Sequence, residues 1–146
     1  MPSRARVSVS QAEFDAYVDE YDAQHAQSVK LSGEDPEFFA EYKAVEAARV
    51  MAAAGAAPQR VMDFGAGRGN CVAHLQRAFP DAALTALDVS SRSLTHCAAR
   101  AIRPLETVCY DGQTLPFDNA SFDLVFTACV FHHIPEADHI RLLAEI

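Results

Sequence analysis

A short glycine-rich segment carries the residues whose types and spacing are best suited to ligand chemistry. In VMDFGAGRGN, Gly65, Gly67 and Gly69 occupy alternate positions behind an apolar run that contains an acid, Asp63. Glycine adopts positive φ and lets another group approach the bare backbone, and the amides that open the following helix face such a group. The segment therefore predicts a strand that turns sharply into a helix around a nucleotide-like ligand.

The spacing of these glycines argues against a dinucleotide. A dinucleotide turn reads GxGxxG, whereas this segment reads GxGxG and has Asn70 where the third glycine of that motif would stand. In a dinucleotide site the helix amides receive a pyrophosphate, and Asp63 would repel that charge. A ligand with a cationic amino group and no phosphate would instead form a charge-assisted hydrogen bond with Asp63. An NAD-dependent oxidoreductase is therefore the less favoured alternative.

Two further acids end the next two predicted strands. Asp88 lies about 20 residues beyond Gly67, where an acid accepts hydrogen bonds from the two vicinal hydroxyls of a ribose. Asp111, which is followed by Gly112, is placed to accept from the exocyclic amine of an adenine, although Asp-Gly also forms an ordinary turn. Ribose, adenine and an amino-acid cation without phosphate describe S-adenosylmethionine.

Four ordered motifs carry a resemblance to a known family. VMDFGAGRGN is followed by LDVSS, YDGQTLPF and SFDLVFTACVFHHI, and residues 60–146 resemble the class I S-adenosylmethionine-dependent methyltransferases. The HHI after the fourth predicted strand resembles the group of small-molecule enzymes that includes ubiquinone and menaquinone methylators. The resemblance implies these cofactor-binding residues: Asp63, Gly65, Ala66 and Gly67 at the methionine end, Asp88 at the ribose, Asp111 at the adenine, Val89 and Gly112 beside those two acids, and the backbone of Ala128 at the methionine moiety.

The implied reaction requires little acid–base catalysis from the protein. Methyl transfer is an in-line displacement at a sulfonium with a neutral leaving group, so the protein mainly aligns the reactants and excludes water. A general base is needed only when the acceptor arrives protonated, and the candidates are His132, His133 and His25. Since adjacent side chains at a strand end point in different directions, we expect at most one of His132 and His133 to face the methyl group. No metal is expected, because these residues lack a recognised ligand spacing.

Apolar runs and turn residues alternate from residue 59 onward, which predicts parallel strands with crossover helices. We expect strands over 60–64, 83–89, 106–110 and 122–129, with helices over 70–79, 91–102 and after Pro135. The predicted fold is α/β, a Rossmann-like, doubly wound parallel sheet, and the resemblance implies the strand order 3-2-1-4. The resembled family continues with strands five to seven, which this sequence lacks. We therefore expect a C-terminally truncated core whose fourth strand is an exposed edge, and pairing of that edge with a second copy in a homo-oligomer is one of the open alternatives.

The residues before the glycine turn are predicted to form a separate helical extension. We divide the chain into an N-terminal extension over 1–56 and an incomplete methyltransferase core over 57–146. A capping-box spacing opens a first helix, and a second begins at Pro36 with Tyr42 and Val45 on its predicted apolar side.

This extension has two interpretations. Its helices pack against the core, or they close the cofactor mouth as a lid, as such extensions do in the small-molecule methyltransferases that the chain resembles. Tyr21 and His25 lie four residues apart on one face of the first helix, and we predict that they contact the pocket.

Composition limits the partners. The chain has 146 residues, of which 50% are hydrophobic, and a formal net charge of −8, which disfavours nucleic acid and anionic lipid. No apolar run approaches the ~20 residues that a membrane span needs. The four cysteines are interpreted as buried free thiols of a cytoplasmic protein. We expect a small-molecule methyl acceptor, and the alternative is a truncated module that binds S-adenosylmethionine without turnover.

Overall fold

The computed structural model of the protein describes residues 36–146. The first predicted helix, and with it Tyr21 and His25, lies outside this range. The described residues form four strands and four α-helices, and a helix separates successive strands except between the third and the fourth. None of these helices is both long enough and apolar enough to cross a bilayer.

Helix α1, Pro36–Ala53, is the part of the N-terminal extension that the structure describes. It packs through two small side chains, Ala40 and Ala44, which are buried, whereas Tyr42 and Val45 are more than half exposed. The expectation that Tyr42 and Val45 lie on the packed side is therefore wrong, because the alanines allow a closer approach to the core than larger residues would. The helix ends at Ala53 and is followed by Gly55, whose φ of +69° is the left-handed conformation that glycine adopts just beyond helix ends.

The core is a single parallel sheet with helices between its strands. The strand order is β3-β2-β1-β4, which confirms the predicted α/β, Rossmann-like class and topology. The strands are β1 Arg60–Phe64, β2 Ala83–Asp88, β3 Glu106–Cys109 and β4 Leu124–Thr127, and the helices between and after them are α2 Val72–Ala78, α3 Ser91–Arg100 and α4 Glu136–Glu145.

Helices cover both faces of the sheet, as the doubly wound prediction requires. Successive residues of β1 point to opposite faces, so Val61 packs with α1, α2 and α3, while Met62 and Phe64 pack with Leu142 of α4. Asp63 shares the Val61 face. Because β1 lies between β2 and β4, the carboxyl end of β1 is enclosed on both sides by neighbouring strands. This end of the sheet carries the glycine turn.

Strand β4 is shorter than the predicted 122–129. Its start is set by Asp123, whose Oδ2 accepts hydrogen bonds from the amides of Gln59 and Arg60 at 2.9 Å each. Its end is set by Cys129, which has a φ of +60° and cannot continue an extended strand. Within the described residues β4 pairs only with β1, so it forms one edge of the sheet.

The cysteines differ in burial. All four are free, and Cys97 is buried, but Cys109 and Cys129 are exposed and Cys71 is intermediate. The expectation of buried thiols is therefore wrong for Cys109 and Cys129, which lie at the ends of the two edge strands, where only one flank is covered.

Candidate functional site

The three glycines of the turn all have positive φ but serve different purposes. A Cβ on Gly65 would come within 2.4 Å of Val130, and one on Gly69 within 2.7 Å of the Cα of Cys97, so both glycines allow close packing. A Cβ on Gly67 would meet nothing within 4 Å. Gly67 is therefore the glycine of the turn that has open space beside it, and the sequence did not distinguish it from the other two.

The amides of the turn point into the protein. Those of Gly65 and Ala66 both donate to the carbonyl oxygen of Leu87, at 2.8 and 3.0 Å. The amide of Gly67 donates to Asp88 Oδ2 at 2.8 Å. These three amides are therefore already engaged, because the turn is hydrogen-bonded to the end of β2.

Asp88 holds the glycine turn in place. Besides Oδ2, which accepts from Gly67, its Oδ1 accepts from the amide of Ser90 at 2.9 Å. Each carboxylate oxygen has more than one lone pair, so both can accept further hydrogen bonds, such as those from ribose hydroxyls. The acid that sequence analysis assigned to a ligand therefore holds the backbone of the glycine turn.

Asp63 is the most deeply buried acid of the site. It is 3% exposed, and none of the hydrogen bonds among the described residues involves its carboxylate. Burial, and then the nearby charge of Asp88, raise the pKa of Asp63 from its ordinary 3.8 to about 7. A carboxylate in this state is stabilised by any cation placed beside it, so the residue fits the amino group of an amino-acid ligand.

The residues assigned to adenine lie next to Asp88. A Cβ on Gly112 would come within 3.4 Å of the Val89 side chain, so the loop after β3 touches the loop after β2. Asp111 is exposed, and its Oδ1 accepts from the amides of Gln113 and Thr114 at 2.8 and 3.1 Å. These bonds lower the pKa of Asp111 and build the Asp-Gly turn, so one carboxylate oxygen of Asp111 already serves the loop.

The residues after β4 complete the opposite side of the site. Ala128 is half-buried, and Val130 packs over Gly65. Between them, Cys129 Sγ accepts a hydrogen bond from Lys43 Nζ of α1 at 3.3 Å. Sequence analysis missed Lys43. In the sequence this residue stands out only as the one lysine of the second predicted helix.

His132 and His133 lie in a short 3-10 turn, Phe131–His133, directly after this segment. Their ring centroids are 3.9 Å apart and both residues are exposed, so the expectation that the two side chains diverge is wrong. Burial and the neighbouring His132 lower the pKa of His133. His139 anchors the turn, since its Nε2 donates to the carbonyl oxygens of Phe131 and Ile134. Among residues 36–146, no three His, Cys, Asp or Glu residues form a group suited to a metal ion.

Comparison with known sequences places this site in a family. A family model described as a methyltransferase domain matches residues 61–146. The phthiotriol/phenolphthiotriol dimycocerosates methyltransferase of Mycobacterium leprae is 36% identical over 89 residues, which are 60% of this chain and 32% of that protein. The demethylmenaquinone methyltransferase of Thermotoga maritima is 33% identical over 88 residues, or 60% of this chain and 37% of that one. The chain therefore matches about a third of the length of these relatives.

A solved structure has the same fold. The complex of the plantazolicin methyltransferase BpumL with a monoazolic desmethylPZN analog and SAH superposes with a TM-score of 0.65 at 20% identity, over 94% of this chain and 52% of that one. The family model spans more than half of the 146 residues and covers the glycine turn and the strands around which the site is built. The chain belongs to the methyltransferase domain family.

Proposed function

We propose that residues 57–146 bind S-adenosylmethionine and serve the transfer of its methyl group to a small-molecule acceptor. The observation that carries this proposal is the Asp63 carboxylate, which is 3% exposed and accepts no hydrogen bond from the described residues. Burying such a charge is unfavourable unless a cation compensates it. The amino group of the cofactor is that cation, and the open backbone at Gly67 gives the ligand room beside it.

The remaining cofactor contacts follow from the order of the strands. Parallel strands present their carboxyl ends at one edge of the sheet, where ligands of open α/β folds bind. The proposed cofactor-binding residues are Asp63, Gly65, Ala66 and Gly67 toward methionine, Asp88 and Val89 toward ribose, Asp111 and Gly112 toward adenine, and the Ala128 backbone toward the methionine moiety.

The inward amides of the turn count against the dinucleotide alternative. A pyrophosphate needs free backbone donors, and those of Gly65, Ala66 and Gly67 are already bonded to Leu87 and Asp88. The buried negative charge of Asp63 would repel it further. A phosphate-free ligand meets neither obstacle.

The chemistry supplied by the bound cofactor is an electrophilic methyl group with a neutral leaving group. The chain's own contribution is to fix that group and to exclude water around it. For an acceptor that arrives as a hydroxyl or phenol, we propose that His132 or His133 accepts the proton. The lowered pKa of His133 keeps its imidazole neutral and able to act as a base near neutral pH.

The proposed acceptor is a hydroxylated or phenolic small molecule. The names of two relatives refer to phthiotriol and phenolphthiotriol compounds and to demethylmenaquinone, which are of this chemical kind. The net charge of −8 disfavours a polyanionic acceptor such as nucleic acid.

Three further proposals concern the N-terminal extension, the cellular location and the oligomeric state. The extension acts as a lid, with Tyr21 and His25 reaching the pocket. The protein is cytoplasmic, because its four free thiols suit a reducing compartment. A second copy pairs with the edge of β4, whose backbone groups are unpaired on one side among the described strands.

Calorimetric titration tests the cofactor assignment. We expect S-adenosylhomocysteine to bind and NAD to give no measurable heat under the same conditions. Asp88→Ala should abolish or strongly weaken that binding, whereas Arg49→Met, an exposed change on α1, should not. A folded chain that binds NAD, or that binds neither compound, would refute the proposal.

A separate assay addresses turnover. The chain is incubated with methyl-labelled S-adenosylmethionine and a panel of phenols, quinols and amines. Transfer to a phenol or quinol that falls when His132 and His133 are both replaced by Gln supports the enzyme. Cofactor binding without transfer to any acceptor would favour the alternative of a non-catalytic binding module.

A further inference from the structure

We propose that Lys43, on helix α1, binds the carboxylate of the cofactor's amino-acid end and with Asp63 forms a site for a zwitterion. The inference rests on the proposed function and extends it, because it assigns a ligand contact to the N-terminal extension.

The position of the ammonium carries the first step. Lys43 Nζ lies 3.3 Å from Cys129 Sγ. Cys129 follows Ala128 just beyond β4, and β4 pairs with β1 so that Thr127 is opposite Phe64, the residue after Asp63. Lys43 therefore reaches the same end of the sheet as the buried acid.

A thiol whose pKa depends on both charges supports this placement. Cys71, directly before α2, has its pKa raised to about 12 by burial and by Asp63, and Lys43 acts on the same thiol in the opposite direction. Electrostatic influence of this kind requires proximity. Lys43 and Asp63 thus both affect the pKa of Cys71, which places a positive and a negative side chain near one region of the site.

The resting partner of Lys43 is weak. An ammonium group has three donors, and a thiol sulfur is a poor acceptor. Among residues 36–146, Cys129 Sγ is the one hydrogen-bond partner of Lys43, and the lysine is half-buried. A carboxylate that arrives beside it would replace a weak bond with a charge-assisted one.

Helix α1 is well anchored, so the position of Lys43 is determined by the packing of the helix and not only by the conformation of its own side chain. The buried Ala40 and Ala44 flank it on the packed side of the helix. Nearly two turns before Lys43, Glu37 Oε1 lies 2.7 Å from Nε2 of His74, a buried residue of α2. The helix is thus fixed to the element that follows the glycine turn, and its lysine is fixed relative to the site.

The test compares two ligands on three proteins by calorimetry. The ligands are S-adenosylhomocysteine and its decarboxylated analogue, which keeps the amino group, ribose and adenine. The proteins are the unmodified chain, Lys43→Met, and the control Arg49→Met, which removes one positive charge from an exposed site on the same helix. Thermal unfolding of each protein establishes that the variants are folded.

We expect Lys43→Met to weaken S-adenosylhomocysteine binding by about 10- to 100-fold, the usual effect of losing a charged hydrogen bond. The variant should bind the decarboxylated analogue as the unmodified chain does, and Lys43→Arg should recover most of the lost affinity. Arg49→Met should change neither affinity.

Three outcomes would overturn the inference. If Lys43→Met binds S-adenosylhomocysteine normally, Lys43 does not contact its carboxylate. If the variant loses affinity for both ligands equally, the residue acts on the fold and not on the carboxylate. If the unmodified chain binds neither ligand, the proposed function fails together with the inference, and the first two outcomes leave that function standing.

Discussion

The charged side chains at the two ends of the site differ in whether the protein itself supplies their hydrogen-bond partners. At the adenosine end, the carboxylates of Asp88 and Asp111 accept hydrogen bonds from the backbone of their own loops. At the methionine end, and within residues 36–146, Asp63 accepts no hydrogen bond and Lys43 has only a thiol as its hydrogen-bond partner. Acids of the first kind stabilise the loops that carry them, whereas buried charges of the second kind lower stability until a ligand compensates them. The contrast predicts that similar substitutions at the two ends change stability in opposite directions.

The largest expected effect comes from the turn that both ends share. Gly69→Ala forces a Cβ to 2.7 Å from the Cα of Cys97 at a φ of +81°, so both the backbone and α3 must shift. We expect a loss of about 2–4 kcal/mol in the free energy of unfolding, measured in urea. Gly67→Ala meets no neighbour and carries only the strain of its φ, about 1–2 kcal/mol. Equal losses for both variants would show that packing against α3 is unimportant.

Asp88→Ala tests the adenosine end by removing its hydrogen-bonded carboxylate. The amides of Gly67 and Ser90 lose their acceptor, and the glycine turn loses its tie to β2. We expect the free energy of unfolding to fall by about 1–3 kcal/mol. Chemical denaturation without ligand measures this directly, so that any effect on cofactor binding is recorded separately. An unchanged stability would mean that Asp88 contributes to the ligand alone.

Asp63→Asn tests the methionine end and should have the opposite sign. The raised pKa of about 7 means that the folded protein keeps a proton which the unfolded chain releases from about pH 4 upward. Stability from this group is therefore present at low pH and is lost as the pH rises toward 7. We expect the stability of the variant relative to the unmodified chain to rise by about 2–3 kcal/mol between pH 5 and pH 8. A variant that is less stable at pH 8 would contradict the contrast between the ends.

Ligand affinity should also depend on the ionisation of Asp63, but it should rise with pH over the range where stability falls. A cationic amine is attracted only by the ionised carboxylate, so S-adenosylhomocysteine should bind more tightly as the pH rises from 6 to 8. The gain approaches about tenfold per pH unit below the pKa and levels off above it. Asp63→Asn should bind weakly at every pH in this range. A pH dependence that persists in the variant would assign it to another group.

The sequence predicted the fold and the acids better than it predicted the contacts between helices. Asp63 and Asp88 were found because acids within or at the end of apolar strands are visible from local pattern. The end of β4 was misplaced because Cys129 takes a left-handed φ, which composition does not signal outside glycine. Lys43 was missed for a different reason, since its place depends on how α1 docks, and the docking uses alanines where larger apolar residues suggested another face.

Asp111 offers the finest test, because one of its oxygens is already in use. Asn at this position keeps an Oδ1 that can accept from Gln113 and Thr114, so the turn and the stability should be unchanged. It replaces the other oxygen with an amide donor, which cannot accept from the adenine amine. We expect S-adenosylhomocysteine to bind about 2- to 10-fold more weakly.

The matched ligand for this variant is S-inosylhomocysteine, whose base carries a carbonyl oxygen where adenine carries the amine. If Oδ2 of Asp111 accepts from adenine, Asp111→Asn should bind the inosine analogue at least as well as the unmodified chain does, since the new amide can donate to that oxygen. A loss of affinity for both ligands, or for neither, would mean that Asp111 serves only its own loop. The adenosine end would then recognise the cofactor through its ribose alone.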